Sequence, residues 1–348
     1  MVLLPRILGD RNLGFGRYVA RRIALLFVVL FGLLSLTFVV SHVIPADPVR
    51  AWAGEKSVLQ SLDIVRRRYH LDQPLHIQYF LYFQDLLQGN LGISPVTNRA
   101  ILWDLGFFFP ATLELALIAL FLVMAIGIPL GVLSATKRNK SVDHLLRIFS
   151  LTGTSMPIFW LAIMLQFVFY FQLGWFPLAG RISLPWTRIT GFVFFDTLIT
   201  GNLAGFADAV KHIVLPATVL AFTSIGFIVR ITRSSMLEVL GADYVRTARS
   251  KGVPESSVIL RHALKNALIP PLTALAYTFG NLLQGAVITE TIFNWPGLGT
   301  YAAGSITFLD FPAIMGFTII AGVSVTIVNL VTDMLYVAID PRVRTLES

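Results

Sequence analysis

The chain has 348 residues, a net charge of +8 and a mean hydropathy of +0.75, with 55% hydrophobic and 13% charged residues. A chain this apolar cannot bury its hydrophobic surface in water, which excludes a soluble globular protein and makes nucleic-acid binding a poor explanation of the positive charge. It contains no cysteine, which excludes disulfides, thiol catalysis and cysteine-based metal sites.

Six uncharged stretches match the ~20 residues that cross ~30 Å of hydrocarbon as a helix. They are 23–41, 115–136, 148–180, 213–229, 266–289 and 311–332. The third is long enough to include an external continuation, and the fourth, with 17 residues, is at the lower limit for a span. We therefore predict an all-α integral membrane protein with six transmembrane helices.

The segment after the first span is predicted to be a folded external cap. Pro45 and Pro48 end the first helix, and the capping-box pattern from Ser57 to Gln60 begins another. The apolar residues of that second helix recur at helical spacing: Val58, Leu62, Val65 and Tyr69. A third helix is predicted from Pro74, at its first position, to Gly89. Acids and bases balance between residues 47 and 104, so the cap is predicted to be neutral. It is expected either to pack on the bundle or to contact an external partner.

The distribution of Lys and Arg predicts the orientation. Segments 1–22, 137–147, 230–265 and 342–344 together hold eighteen of the 27 cations, so both termini are predicted to be cytoplasmic. The Arg66–Arg68 cluster would be external, but its loop is long enough to be largely exempt from the rule. The first apolar run, which follows Arg21-Arg22, is interpreted as a retained helix and not as a signal peptide.

We divide the chain into two parts. Residues 1–108 hold the leader, the first span and the external loop, and residues 109–348 form a five-helix core with a cytoplasmic loop at 230–265. Glycines and prolines within the core spans are interpreted as close-packing positions: Gly127, Pro129, Gly131, Pro157 and Gly285.

Two apolar spans carry polar stripes. In the fifth span the stripe is Thr273, Tyr277, Asn281 and Gln284, which share one helix face. The sixth span repeats the pattern with Thr318, Gly322, Thr326, Asn329 and Asp333. Such stripes are typical either of a wet translocation pathway or of hydrogen bonds between helices, each worth ~0.6–2 kcal/mol.

No carboxylate is predicted at the bilayer centre. We interpret Glu114 as a first-turn acid that compensates the helix dipole, and Glu290 and Asp333 as interfacial residues. An ion-driven secondary transporter would more often show a midplane carboxylate, so this pattern disfavours that class.

Sequence motifs for catalysis are absent. The chain has no H-E-x-x-H, G-x-S-x-G or Walker A pattern, and its six histidines form no helical metal pair. We therefore predict no catalytic residue, no metal site and no cofactor in this chain. If transport uses energy, another chain must hold the nucleotide.

The most informative segment is the basic stretch from Arg230 to Lys265, which carries seven cations against three acids. Within it, residues 243–252 read Asp-Tyr-Val-Arg-Thr-Ala-Arg-Ser-Lys-Gly. An acid opens this predicted short helix, cations close it, and Gly252 follows as a left-handed cap. Gly241 before the helix and Gly252-Val253-Pro254 after it are predicted to act as defined corners.

Residues 243–252 and 261–270 strongly resemble the coupling loop of ABC importer permeases of the dipeptide/oligopeptide class. Eight further motifs support the resemblance almost end to end: Arg21-Arg22, Pro45-Ala46-Asp47-Pro48, Leu71-Asp72-Gln73-Pro74-Leu75 with Gln78-Tyr79, Gly89-Asn90-Leu91-Gly92-Ile93-Ser94, Pro110-Ala111-Thr112-Leu113-Glu114-Leu115, Gly153-Thr154-Ser155-Met156-Pro157, Trp295-Pro296-Gly297-Leu298-Gly299 and Asp340-Pro341-Arg342. The long first external loop resembles that of the first (B-type) permease subunit.

The resemblance implies the MetI-like fold of type I ABC importer permeases and a set of partners. These are a second homologous (C-type) permease, two cytoplasmic ATPase subunits that bind ATP and Mg, an external substrate-binding protein, and the plasma membrane of a prokaryote. It assigns ATPase coupling to Asp243, Tyr244, Arg246, Thr247, Ala248, Arg249 and Gly252. The candidate pathway residues, Thr273, Tyr277, Asn281 and Gln284, come from the polar stripe of the fifth span and not from the resemblance.

The chain departs from the broader permease family in two places. That family begins this loop with Glu-Ala-Ala, where this chain has Arg246-Thr247-Ala248, and its downstream Leu-Pro is displaced to Pro270. Both departures resemble the peptide-importer subgroup. The resemblance favours peptides as substrate and leaves oligosaccharides and nickel chelates as alternatives.

Overall fold

The computed structural model describes residues 15–42, 66–67 and 70–339. Over this part of the chain the protein is helical, with one isolated bridge between Ile93 and Ala100. The helices are α1 (Phe15–His42), α2 (Leu75–Leu87), α3 (Ile101–Thr136), α4 (Ser141–Ser155), α5 (Ile158–Leu165), α6 (Val193–Ile199), α7 (Leu203–Leu240), α8 (Asp243–Ser250), α9 (Glu255–Ser257), α10 (Leu264–Ala267), α11 (Ile269–Ile292), α12 (Leu298–Thr307) and α13 (Phe311–Ile339). Two π-helical segments, Gln166–Gln172 and Val258–Ala263, continue α5 and join α9 to α10.

Five of the six predicted apolar runs lie largely within single helices, namely α1, α3, α7, α11 and α13. By length and composition, three helices of the described chain can cross a membrane: α3, α7 and the Phe311–Val331 part of α13. A bent pair supplies a fourth if it counts as one span. The helix α1 contributes a shorter apolar segment, Ile23–Val39, and α11 has 24 residues. These helices are consistent with six spans.

The third run is not one straight span, contrary to the prediction. Helix α4 ends at Ser155, and α5 begins at Ile158 at an angle of 104° to it. Pro157 stands between them with extended backbone, because its ring excludes a continuing helix. Pro157 is therefore a break in the span and not a packing position.

The fourth run, the shortest of the six, lies in the longest helix of the described chain, the 38-residue α7. The prediction stopped at His212 and Arg230, but the helix continues beyond both. Two thirds of its most apolar window is buried, more than in α3 or α13. Burial among other helices, and not length alone, therefore makes α7 the centre of the bundle.

The core between α3 and α7 is closely packed because glycines let the helices approach. A Cβ at Gly127 would lie 3.0 Å from Ile228 Cγ2, and one at Gly131 would lie 2.9 Å from Thr232 Cγ2. These two positions confirm the packing interpretation. Gly226 of α7 likewise faces the backbone carbonyl of Ser150 in α4, with which a Cβ would overlap.

The Gly226 contact gives a stability prediction. We expect Gly226→Ala to destabilise the protein by about 1–3 kcal/mol, because the added methyl group meets backbone that cannot rotate away. Gly304→Ala is the matched control, since a Cβ there meets nothing within 4 Å. Thermal unfolding of the purified protein in detergent would show the difference, and equal unfolding temperatures for the two variants would contradict it.

The segment predicted to be an external cap packs on the first span, α1, through α2. Tyr79 Oη and Ser35 Oγ lie 2.7 Å apart, and Phe83 and Tyr79 contact Phe31 and Phe38 through their rings. Helix α2 begins at Leu75, so Pro74 precedes its first turn and does not occupy it. The helix ends at Leu87, two residues before the predicted Gly89, which has φ +76° and stops the helix as a left-handed glycine. The helix predicted from Ser57 lies outside the described residues.

The molecule has two distinct ends. We call the end that carries residues 137–147 and 230–265 the basic end, and the other the opposite end. At the opposite end Arg181 donates to both the Glu114 carboxylate, at 2.8 Å from Nε, and the carbonyl of Gly191, at 2.9 Å. Both charged side chains are buried. Because α3 begins at Ile101, Asp104 is its first-turn acid, and the interpretation of Glu114 as that acid was wrong.

Glu290 forms a second buried centre at the opposite end. Its carboxylate accepts hydrogen bonds from Thr112 Oγ1 at 2.6 Å and from the backbone N–H of Gly299 at 2.6 Å. Trp295 Nε1 donates to Ala111 O at 2.9 Å. These bonds join α3, α11 and the start of α12. Gly297 is required there because the Glu290 carboxylate lies where a side chain would stand, and Gly299 because a Cβ would overlap the Val287 backbone of α11.

Candidate functional site at the basic end

The basic loop folds into the predicted short helix, α8, from Asp243 to Ser250. Asp243 lies in its first turn and Arg249 in its last, as the helix dipole favours. Gly252 has φ +74° and donates to Arg249 O at 2.9 Å, while Val253 N donates to Ala248 O at 3.3 Å. These two bonds form a complete Schellman motif, which confirms Gly252 as a left-handed cap.

The corner before α8 has a different geometry. Gly241 ends α7 with φ −84° and ψ −10°, an ordinary helical conformation. Ala242 is the N-cap residue of α8, and its carbonyl accepts from the N–H of Val245 and Arg246. Only Gly252 of the two predicted corners therefore needs the conformational freedom of glycine.

The inner face of α8 is apolar and buried. Val245 and Ala248 pack with Val258, and Val239, Leu240 and Val253 surround them. The cluster joins α8 to the last turn of α7 and to the π-helical segment after α9. Ala248, predicted as a coupling residue, thus holds α8 in place and does not present a contact surface.

The outer face of α8 is polar and open to solvent. Its exposed members are Asp243, Tyr244, Arg246, Thr247, Arg249 and Ser250. Arg246 lies 3.5 Å from Asp243, with both side chains largely exposed, so the pair contributes little stability. The remaining predicted coupling residues therefore share one accessible surface.

Two contacts tie the outer face to the following segment. Asn266 Nδ2 donates to Tyr244 Oη at 2.8 Å, and Arg249 donates to the Glu255 carboxylate at 2.7 and 3.1 Å. The hydrogen bond from Arg249 lowers the pKa of Glu255. Ser235 Oγ also donates to Ala267 O at 2.8 Å, across from α7 to α10. The whole loop is therefore an ordered unit on the end of α7.

The polar stripe of the fifth span lies on α11. Tyr277 is 63% exposed and Asn281 is also exposed, whereas Ala274, Leu275 and Leu282 on the other face are buried in the bundle core. Thr273 is half-buried and donates to its own helix, at 3.2 Å from Ile269 O. The Gln284 side chain lies outside the described residues. The stripe therefore faces away from the bundle of this chain.

The polar stripe of the sixth span is used differently. Thr318 and Thr326 donate to carbonyls of their own helix, α13, at 2.8 and 2.6 Å. A Cβ at Gly322 would overlap the Leu33 side chain, so Gly322 is a contact between α13 and α1. The Asp333 side chain lies outside the described residues. Hydrogen bonds within α13 and the contact with α1 therefore account for Thr318, Gly322 and Thr326 of this stripe.

Sequence reasoning missed an ion pair at the basic end, between a buried carboxylate and a half-buried arginine. Asp143 of α4 accepts from Arg233 of α7 at 2.8 Å from Nε and 2.9 Å from Nη2. The partners are 90 positions apart in sequence, and nothing local marks either of them. Among the described residues, no three His, Cys, Asp or Glu side chains are grouped so that they could hold a metal ion.

Comparison with known proteins gives two family matches. Residues 127–345 match the model of the binding-protein-dependent transport system inner membrane component, and residues 15–116 match the N-terminal model of such membrane components. The chain is 47% identical over 321 residues to the probable D,D-dipeptide transport system permease protein DdpB of Escherichia coli K12, covering 91% of this chain and 94% of that one. It is 42% identical over 329 residues to the dipeptide transport system permease protein DppB of Alkalihalophilus pseudofirmus, covering 94% and 99%.

The fold is similar to that of a solved transporter structure. A chain of the MetNI methionine ABC transporter, crystallised in inward facing conformations, matches 68% of this chain and 97% of its own length with a TM-score of 0.50 and 18% identity. This likeness supports the MetI-like fold expected from the resemblance. The chain belongs to the family of inner membrane components of binding-protein-dependent transport systems, the ABC importer permeases of the dipeptide class.

Proposed function

We propose that this chain is the permease subunit that forms half of the translocation pathway of an ATP-driven peptide importer. A second, homologous permease supplies the other half, two cytoplasmic ATPase subunits bind ATP and Mg, and an external binding protein delivers the substrate. In this proposal the basic end and both termini are cytoplasmic, in the plasma membrane of a prokaryote.

The observation that carries this proposal is the construction of α8. Its inner face is fixed by Val245 and Ala248, while its outer face presents charged and aromatic side chains that are exposed to solvent. A short helix held rigidly on the end of the most buried span is suited to receive a force. We assign contact with the ATPase to Asp243, Tyr244, Arg246, Thr247 and Arg249, and the orientation of this surface to Ala248 and Gly252.

The pathway is assigned to the stripe on α11. Tyr277 and Asn281 are exposed in the single chain although they lie on an apolar span. A polar face left open by its own bundle is suited either to line a wet pathway or to meet the second permease around it. We propose the pathway role for Thr273, Tyr277, Asn281 and Gln284.

Dipeptides are the proposed substrate. Both relatives described above are named as dipeptide permeases, and they cover nearly the whole of this chain. Oligosaccharides and nickel chelates are the alternatives. The binding protein commonly selects the substrate in such systems, so a ligand panel tested on that protein by thermal shift would decide among them.

Copurification tests the ATPase partnership. We expect the tagged permease to retain its ATPase subunits in detergent, and the double variant Tyr244→Ala/Arg246→Glu to lose most of them because the exposed face of α8 is changed in shape and charge. Lys211→Glu, a change at an exposed cation of the opposite end, is the matched control and should retain them.

Dipeptide uptake into proteoliposomes should require ATP and stop with vanadate. Uptake without ATP would instead indicate a secondary transporter.

A further inference from the structure

The buried carboxylate of Asp143 joins three parts of the chain at the basic end. It accepts from Ser134 Oγ of α3 at 2.6 Å and from the backbone N–H of Asn139, in the turn between α3 and α4, at 3.0 Å. From α7 it receives the two bonds of Arg233. Arg147 Nε lies 3.8 Å away, in the next turn of α4. One side chain therefore links the α3–α4 hairpin to α7.

Stability alone is a weak reason for such a pair. Burying the Asp143 carboxylate is costly, although the Arg233 side chain keeps 21% of its surface exposed, and well-packed apolar residues of similar volume often replace a buried ion pair without loss of stability. The pair does, however, fix the mutual orientation of the helices, because the planar guanidinium meets the carboxylate with two parallel hydrogen bonds.

The pair lies close to the point where α8 would receive force. Arg233 is seven residues before the end of α7 at Leu240, which is about 10 Å along the helix axis. Leu240 itself packs in the cluster that holds α8. A displacement of α8 therefore reaches Arg233 through one continuous helix.

The neighbouring contacts extend the same link. Gly127 and Gly131 bring α3 against α7, and Gly226 brings α7 against α4. Such contacts hold helices close together, but an apolar contact between smooth surfaces resists sliding less than an ion pair does. The Asp143–Arg233 bond lies on the side of these contacts that is nearer to α8.

We propose that the Asp143–Arg233 pair is the link that makes α3, α4 and α7 move as one body when α8 is displaced. This proposal rests on the proposed function, since it assumes that α8 receives force from an ATPase. Both residues are positioning residues in this role: they contact neither substrate nor nucleotide and act by orienting the helices.

The first test measures coupling in the complete complex of both permeases and both ATPases, reconstituted in proteoliposomes with the binding protein. The readout is the amount of radiolabelled alanyl-alanine imported for each ATP hydrolysed. We expect this ratio to fall about three- to tenfold in Arg233→Gln. An effect of this size is typical of a mutation that weakens the energetic coupling between two distant sites. Arg233→Lys keeps the charge and should restore part of it. A purely structural role would lower the amount of complex and leave the ratio unchanged.

The second test needs no substrate. Because the chain has no cysteine, spin labels can be placed at the exposed positions Leu145 of α4 and Arg230 of α7. We expect one distance between them in the nucleotide-free and the vanadate-trapped complex of the otherwise native protein, and a second population after trapping in Asp143→Asn.

The outcomes separate the linking role from the proposed function. A single, unchanged distance in Asp143→Asn together with a native ratio in Arg233→Gln would overturn the linking role. A distance that changes on trapping in the otherwise native complex would also overturn it, since the helices would then move separately. A complex that retains no ATPase would overturn the proposed function.

Discussion

Replacing Gly252 with valine is expected to abolish most dipeptide uptake while the permease is still inserted and assembled. Gly252 has φ +74°, where a β-branched residue is strained by about 1–2 kcal/mol. That strain is too small to unfold the chain, but it opposes the Schellman motif that holds Val253 on the α8 cluster. A strain of about 1.4 kcal/mol lowers the population of the capped conformation about tenfold relative to the uncapped one. We therefore expect uptake to fall about tenfold or more, while ATP hydrolysis continues.

A matched control separates this effect from strain alone. Gly174 has φ +62°, and a Cβ there, as at Gly252, would meet no atom within 4 Å, so valine carries a similar backbone penalty far from α8. Gly174→Val should keep the native ratio of uptake to ATP hydrolysis. Uptake at the native level by Gly252→Val, at native abundance, would remove the coupling role of the α8 cap.

Breaking the buried ion pair at the opposite end is expected to have the largest effect on stability. Arg181→Met leaves the Glu114 carboxylate buried without its cation, which costs about 3–5 kcal/mol. The loop that Arg181 holds through Gly191 O would be released at the same time. Thermal unfolding of the purified complex should show a large drop in its midpoint temperature.

The double variant Glu114→Gln/Arg181→Met should recover much of that loss. It removes both charges, and the glutamine oxygen can still accept from the Phe194 N–H, which lies 3.0 Å from Glu114 Oε1. Neutral replacements of a buried pair are often tolerated. A double variant as unstable as Arg181→Met would show that the pair contributes through its geometry and not through charge balance.

Apolar runs locate helices well but predict their ends poorly. The second run begins at residue 115, whereas α3 begins at Ile101. The residues left out include Asp104 and Glu114, whose charges kept the predicted run from extending to the true start of the helix. Both carboxylates are buried and bonded, Asp104 to Thr97 and Glu114 to Arg181. A hydropathy count registers a charge but not its partner, so it shortens every helix that carries a satisfied charge.

The break in the third run has a visible signal in the sequence, but the signal is ambiguous. A run of 33 residues is longer than one span needs, and Pro157 lies near its start. Membrane helices can carry proline without breaking, so composition alone does not separate a kink from a stop. The neighbours that would have kept the helix continuous are a property of the tertiary structure.

The loop around α8 was the best predicted part because its signals are local. The first-turn acid, the last-turn cation and the glycine cap are all encoded within ten residues. Its amphipathic packing was not predicted: Ala248 belongs to the buried face, and the pattern Val245–Ala248 becomes meaningful only when Val258 is brought against it. The Asp143–Arg233 pair lacked even a local signal.

Crosslinking at α8 tests the central claim most directly. A single cysteine at Thr247, on the outer face of α8, can carry a photoactivatable crosslinker because the chain has no other cysteine. Leu87→Cys, at an 88% exposed position at the end of α2, is the control. In the native membrane the Thr247→Cys protein should crosslink to the ATPase subunit and the Leu87→Cys protein should not. Crosslinks from Thr247→Cys to lipid alone, with the ATPase present in the membrane, would contradict the assignment of α8 as the point where force enters.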